Sequence, residues 1–177
     1  MSDNKSYKEH LNDIKAFIFD VDGVLTDGSV QITTSGELLR TMNVKDGFAL
    51  KTAIDEGYGV CIISGGSNEG VRKRLEGLGI KDIHLGTHDK ISHLNNFMFN
   101  NGYKSSELLY MGDDIPDVPA MKTVGLPCCP QDAVPEIKAI SKYVSHKFGG
   151  KGCVRDVIEQ VLKVQGKWNS NYDAQYD

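Results

Sequence analysis

Side chains able to do acid–base and phosphoryl chemistry recur at matching places along this chain. Asp20 and Asp22 follow the apolar run Ala16-Phe17-Ile18-Phe19, and Ser64 follows Gly59-Val60-Cys61-Ile62-Ile63. Asp113 and Asp114 follow Leu108-Leu109-Tyr110-Met111, and Lys90 opens a helical pattern just after Ile83-His84-Leu85. Carboxylates brought together repel, so a folded site that holds them needs a cation. An acid-only oxygen set, with no His or Cys in ligand spacing, suits Mg2+, a hard cation that bridges to phosphate. Lys90 and the Ser64 hydroxyl then supply positive charge and donors for phosphoryl oxygens. With the repulsion neutralised, a carboxylate can attack phosphorus.

These residues converge only if the runs before them are strands of one sheet. Short runs that are apolar on both faces suit parallel strands buried between helices. Between them the pattern predicts helices over Asp46–Glu56 (Asp46 as N-cap, Gly57 beyond its end), Asn68–Leu78 and Asp89–Asn100, then Asp114–Lys122 and Cys153–Val164. The β-α-β-α order signals an α/β, doubly wound, Rossmann-like parallel sheet, and ligands of such sheets sit beyond the carboxyl ends of the strands. One insertion interrupts the order. Ser29 to Asn43 reads as a β-hairpin, Val30-Gln31-Ile32 and Leu38-Leu39-Arg40 turning at Thr34-Ser35-Gly36. With no repeat, linker or low-complexity block, one domain is expected over 1–165, followed by a polar tail over 166–177 without stable structure of its own.

Composition sets the class. At 177 residues, 40% hydrophobic and 25% charged, the chain matches soluble globular averages and is long enough to fold without disulfide or metal staples. Its net charge of −4 gives no basic stripe for nucleic acid. No run approaches the roughly 20 apolar residues that cross a bilayer, and the start has no secretory pattern. Cys61, Cys128, Cys129 and Cys153 form no CxxC pair, so they read as structural thiols of a reducing, cytoplasmic compartment. His84, His88, His93 and His146 show no paired metal spacing and read as surface or packing residues.

Asp20-Val21-Asp22-Gly23-Val24-Leu25-Thr26-Asp27-Gly28, then Ser64-Gly65, Lys90 and Gly112-Asp113-Asp114-Ile115-Pro116-Asp117 resemble, in order, the four motifs of the haloacid dehalogenase-like phosphohydrolases. The resemblance spans residues 16 to about 160 and implies roles position by position. Asp20 is the nucleophile that forms an aspartyl-phosphate, and Asp22 the acid and base for the leaving oxygen and the water. Asp20, Asp22 through its backbone carbonyl, and Asp113 hold Mg2+, while Asp114 and Asp117 orient metal waters and Lys90. The catalytic set is thus Asp20, Asp22, Ser64 and Lys90. An acid two residues after the nucleophile argues against a receiver-like signalling domain, which stores its phosphate rather than turning it over.

Spacing narrows the choice. Asp20 to Ser64 is 44 positions, filled by the hairpin and one helix, and Ser64 to Lys90 is only 26, so no cap domain fits. The hairpin, Asn43-Val44-Lys45-Asp46-Gly47 and the late Gly149-Gly150-Lys151-Gly152 loop are similar to the capless 3-deoxy-D-manno-octulosonate 8-phosphate (KDO 8-phosphate) phosphatases. That likeness implies a cytoplasmic homotetramer of lipopolysaccharide precursor synthesis, with each site completed by a neighbouring subunit. It also implies substrate contacts at Asp22, Asn43, Val44, Lys45, Asp46, Gly47, Lys51, Gly66, Arg74 and Lys90. Basic groups suit a substrate that carries both phosphate and carboxylate. One departure stands out: relatives often carry a basic residue right after the Ser/Thr-Gly of the second motif, where this chain has Gly66. Phosphatases of nine-carbon sugar acids, acting on KDN 9-phosphate or N-acylneuraminate 9-phosphate, share the architecture and are the alternative reading.

Overall fold

The computed structural model describes residues 5–168. Six parallel strands form its sheet: β1 (Ala16–Phe19), β4 (Gly59–Ser64), β5 (Asp82–Leu85), β6 (Leu108–Met111), β7 (Leu126–Cys129) and β8 (Tyr143–Val144). Their spatial order is β5-β4-β1-β6-β7-β8. β1 therefore lies inside the sheet, with Ala16 opposite Gly59 on one side and Leu108 on the other. The chain builds outward to β5 and then crosses back over β1 to begin β6, and that reversal opens a crevice at the strand ends beside β1.

Alternation along the strands explains the two-sided burial. Phe17 and Phe19 face a core shared with helices α2 (Val44–Asp55), α3 (Glu69–Gly77) and α7 (Cys153–Val164). Ala16 and Ile18 face the opposite core, against α4 (Lys90–Asn101), α5 (Val118–Met121) and α6 (Pro135–Ile140). A short α1 (Tyr7–His10) precedes β1. Between β1 and β4 stand the kinked turn Val21–Leu25, the hairpin, β2 (Gln31–Ile32) antiparallel to β3 (Leu38–Leu39), and α2; between β4 and β5 stands α3. The core is capless. Among the described residues no helix is long and apolar enough to cross a membrane.

Helix limits follow their caps with three informative differences. α2 begins at Val44 because the Asn43 side chain accepts from the Lys45 N–H, so Asn43 rather than Asp46 is its N-cap. Asp46 sits one turn in and almost fully buried, where its Oδ1 accepts from the Arg155 N–H in the first turn of α7. The stretch predicted as one helix over Asp114–Lys122 splits into a 3₁₀ turn, Ile115–Asp117, and α5, with Pro116 near its start. Third, the tail does not leave the domain at once: Trp168 packs edge-on to Phe48, with Arg155 over its ring, and its N–H donates to the Leu162 carbonyl. The rest of the tail lies outside the described residues.

Candidate active site

Asp20 terminates β1 as the chain bends into a loop pinned by its own polar groups. The Val21 N–H donates to Asp20 Oδ1, and the buried Thr26 hydroxyl accepts from the Gly23 and Gly28 N–H groups. Gly23 has φ +86°, and a Cβ there would fall 1.9 Å from Asp113 Oδ2, so only glycine lets the two acidic loops meet. A second strap crosses the same loop. Gly150 N–H donates to the Val24 carbonyl, Asn43 Nδ2 donates to the Gly150 carbonyl, and a Cβ on Gly149 would lie 2.0 Å from the Gly23 carbonyl oxygen. The glycine pair thus presses backbone on backbone under the first motif. Gly149→Ala must push that loop aside, and we expect a lower melting temperature together with at least a tenfold loss of kcat/KM; calorimetry and steady-state kinetics on the same preparation check it.

Lys90 reaches into this crevice from the first residue of α4. Its Nζ is 3.0 Å from Asp20 Oδ2 and 2.7 Å from Asp117 Oδ1, with side-chain exposures of 6%, 10% and 0%. Asp117 also accepts from the Tyr110 hydroxyl at 2.7 Å and, on Oδ2, from the Asp113 N–H. Burial alone would pull the Lys90 ammonium toward neutrality, but Asp20 and Asp117 outweigh it and its pKa is raised. Asp20 moves the other way for a carboxylate. Burial first, then Asp117, push its pKa up to about 6 despite Lys90. Asp113 is pushed up to about 8 by burial and by the Asp20, Asp117 and Asp114 charges, and its Oδ1 is buried with no hydrogen-bond partner.

That orphan oxygen is what a cation would satisfy. Oxygens of Asp20, Asp113 and Asp117 lie within 4.8 Å of one another. Asp117 is fully buried behind the cavity wall and takes three donors, Lys90, Tyr110 and the Asp113 N–H, so it braces Lys90; Asp20 and Asp113 line the cavity and are the carboxylates a hard divalent ion there can reach. Asp114 is exposed and caps the 3₁₀ turn through the Ile115 N–H.

A cavity of about 410 Å³ gathers Asp20, Asp22, Ser64, Gly66, Lys90 and Asp113, with Thr87 and His88 on its wall. Ser64 is buried, its Oγ accepting from the Gly66 N–H. The other residues singled out as substrate contacts are not brought to this cavity. Asn43 caps α2, Asp46 accepts from the Arg155 N–H of α7, and Gly47 leaves room for Arg74, whose Nη2 would be 2.7 Å from a Cβ there. Lys51 pairs with Asp55. Val44 is 74% exposed, and Lys45 lines a separate cavity with Lys151 and Arg155. Conversely, sequence reasoning passed over Tyr110, which read simply as strand, and Arg40, which clamps Asp22 from the hairpin at 2.7 and 3.1 Å. The one available signal for Arg40 was the absent basic side chain at Gly66.

Residues 82–154 match the model of a haloacid dehalogenase-like hydrolase family. The chain is 36% identical to the 3-deoxy-D-manno-octulosonate 8-phosphate phosphatase KdsC of Salmonella typhi over 154 residues, 87% of this chain and 82% of that protein. The chain belongs to the KDO 8-phosphate phosphatase family. The family's Haemophilus influenzae member is 34% identical, over 90% of this chain and 89% of that protein. Its Moraxella catarrhalis structure, a complex with magnesium, phosphate and KDO, has a TM-score of 0.89 at 32% identity, over 94% of this chain and 96% of that one. The capless α/β architecture described above is thus that of a family phosphatase.

Proposed function

We propose that the protein is a Mg2+-dependent phosphatase that hydrolyses KDO 8-phosphate to KDO and phosphate. The observation that carries this reading is the buried Asp20–Lys90–Asp117 group set against the partnerless Asp113 oxygen, in a chain of this family. The substrate phosphate sits among Asp20, Lys90 and Ser64. An Asp20 oxygen attacks phosphorus as the bond to the sugar oxygen breaks, and Asp22 delivers a proton to that leaving oxygen. Asp22 then takes a proton from the water that attacks the aspartyl-phosphate, which frees Asp20 and releases phosphate. Lys90, held by Asp117, neutralises charge on the phosphoryl oxygens in both steps. Mg2+, held by Asp20, Asp113 and the Asp22 carbonyl, would withdraw charge from the phosphoryl group and cancel the repulsion that raises both carboxyl pKa values.

One domain, residues 1–165, carries this chemistry in a cytoplasmic setting within lipopolysaccharide precursor synthesis. Without a cap the cavity is open, and a homotetramer in which a neighbour covers it is the arrangement we favour. The support is the hairpin, where Val30, Ile32, Leu38 and Leu39 are 40–72% exposed. Ile32→Glu is expected to convert a tetramer into smaller species in light scattering at micromolar concentration; a wild-type protein that is already monomeric would contradict the assembly. Phosphate release from KDO 8-phosphate and KDN 9-phosphate, measured side by side with Mg2+, tests the substrate. We expect a preference of at least a hundredfold, about 2.7 kcal/mol, for KDO 8-phosphate. Equal or reversed preference would move the enzyme to the nine-carbon sugar acids.

A further inference from the structure

Gly66 marks where a longer side chain would enter the crevice, and another residue already fills that space. A Cβ on Gly66 would lie 2.9 Å from Asp22 Oδ2 and 3.2 Å from Arg40 Nη2. The Gly66 backbone has no positive φ, so its conformation does not itself require glycine. Arg40 follows β3 of the hairpin. Its Nε donates to Asp22 Oδ1, its Nη2 to Asp22 Oδ2, and its Nη1 to the Leu38 carbonyl at 3.2 Å. The Arg40 side chain is only 8% exposed, on a hairpin whose apolar side chains face solvent. The hairpin is held at this edge by Asn68 Nδ2, which donates to the same Leu38 carbonyl.

A guanidinium carries five N–H donors in a planar fork. Three are used in these bonds: the side-on pair by Asp22 and one Nη1 hydrogen by Leu38. One N–H on Nη1 and one on Nη2 remain for a further acceptor, and a planar two-oxygen group suits them. Arg40 also lines a second cavity of about 400 Å³ that shares Gly65 and Gly66 with the catalytic one. The phosphate end of the site is already supplied with Lys90 and Ser64, so the anion for Arg40 is a different group of the same substrate.

We propose that Arg40 anchors the substrate carboxylate through its remaining Nη1 and Nη2 N–H groups, with Gly66 leaving room for it and Asp22 holding it in place. The hairpin thereby supplies the positive charge missing at position 66. This inference rests on the sugar-acid phosphate reading given above. It also makes one guanidinium serve two acids, coupling the position of the leaving-group acid Asp22 to the binding of the correct substrate.

The test compares wild type, Arg40→Ala, Arg40→Lys and the double variant Arg40→Ala/Gly66→Arg. Substrates are KDO 8-phosphate and two six-carbon sugar phosphates, 6-phosphogluconate, which carries a C1 carboxylate, and glucose 6-phosphate, whose C1 is uncharged. Arg40→Ala is expected to raise KM for KDO 8-phosphate at least thirtyfold, and to lower kcat/KM at least tenfold more for 6-phosphogluconate than for glucose 6-phosphate. The double variant, with the charge moved to position 66, is expected to recover at least a third of the lost acid preference on a logarithmic scale. Arg40→Lys, which keeps the charge and the fold, is expected to fall between wild type and Arg40→Ala. Equal losses on the acidic and neutral substrates, or no recovery in the double variant, would overturn the anchor and leave Arg40 acting only through Asp22. If wild type does not hydrolyse KDO 8-phosphate, the substrate reading fails by itself. Arg40 is then decided by the 6-phosphogluconate to glucose 6-phosphate ratio, which the anchor requires to fall in Arg40→Ala.

Discussion

Replacing Asp20 by Asn is expected to lower kcat by roughly 10⁴-fold or more while leaving the protein folded. The amide keeps the shape of the side chain and its place at the end of β1, but it cannot form the bond to phosphorus. Stability should move the other way in the metal-free protein. Asp20 and Asp113 have pKa values of about 6 and about 8 in the folded chain against a carboxyl reference of 3.8. Between about pH 4 and pH 8 the folded state therefore holds protons that the unfolded state has released. Stability falls as pH rises through that window, because the slope follows protons bound unfolded minus protons bound folded, here negative. Asp20→Asn removes one of these groups and one charge that raises the other, so its melting temperature is expected to fall less between pH 5 and pH 8 than that of wild type. Mg2+ relieves the same strain and should raise the wild-type melting temperature more at pH 8 than at pH 5. At a hundred times its dissociation constant the ion adds about 2.7 kcal/mol. A pH slope that is unchanged in Asp20→Asn would contradict the crowded-carboxylate account of the site.

Asp117→Ala is the second large effect, and it falls on stability and turnover together. Asp117 is fully buried, and its removal leaves the Lys90 ammonium with Asp20 alone, the Tyr110 hydroxyl without an acceptor and the Asp113 N–H unpaired. Breaking a buried pair of this kind costs roughly 3–5 kcal/mol. Lys90 is then free to shift away from the phosphoryl position, and a displacement of about 1 Å is enough for a hundredfold loss of kcat. Asp117→Asn, which retains an acceptor for Tyr110 and Lys90 without the charge, should recover much of the stability and less of the turnover. Denaturant unfolding and kinetics on both variants read the two effects separately; turnover near the wild-type level in Asp117→Ala would contradict the bracing role.

The centre of the molecule was legible because its signals are local. β1, β4 and β6 are apolar runs buried on both faces, and each leads into the acid or hydroxyl that lines the crevice. Asn68 and Asp89 cap their helices with their own side chains, and α7 matches the predicted span, Cys153–Val164. What was missed depends on contacts between distant segments. Asp46 has the chemistry of an N-cap, but its acceptor is spent on α7, so the N-cap of α2 is Asn43, three residues earlier than predicted. β7 contains Pro127, which ordinarily argues against a central strand. It pairs with β6 and β8 nonetheless, and the Pro127 carbonyl accepts from the Lys142 N–H. The sugar contacts at Asn43, Asp46, Gly47 and Arg74 came from motif likeness and stand as proposals; within the chain, Asn43 donates to the Gly150 carbonyl, Asp46 accepts from the Arg155 N–H and Gly47 lies against Arg74. Arg40 is the clearest case of a role that only folding reveals, since nothing near it in sequence indicates that its guanidinium closes on Asp22, 18 positions earlier.

The central claim, that Asp20 itself carries the phosphoryl group, is tested most directly by trapping it. Enzyme in excess over KDO 8-phosphate with Mg2+ is quenched within a single turnover, reduced with borohydride and mapped by peptide mass spectrometry. An acyl phosphate is reduced to the alcohol, so the account predicts homoserine at position 20, absent when substrate is omitted and absent in Asp20→Asn. Homoserine at Asp22 or Asp113 instead, or none at all across quench times that span the release of phosphate, would contradict it.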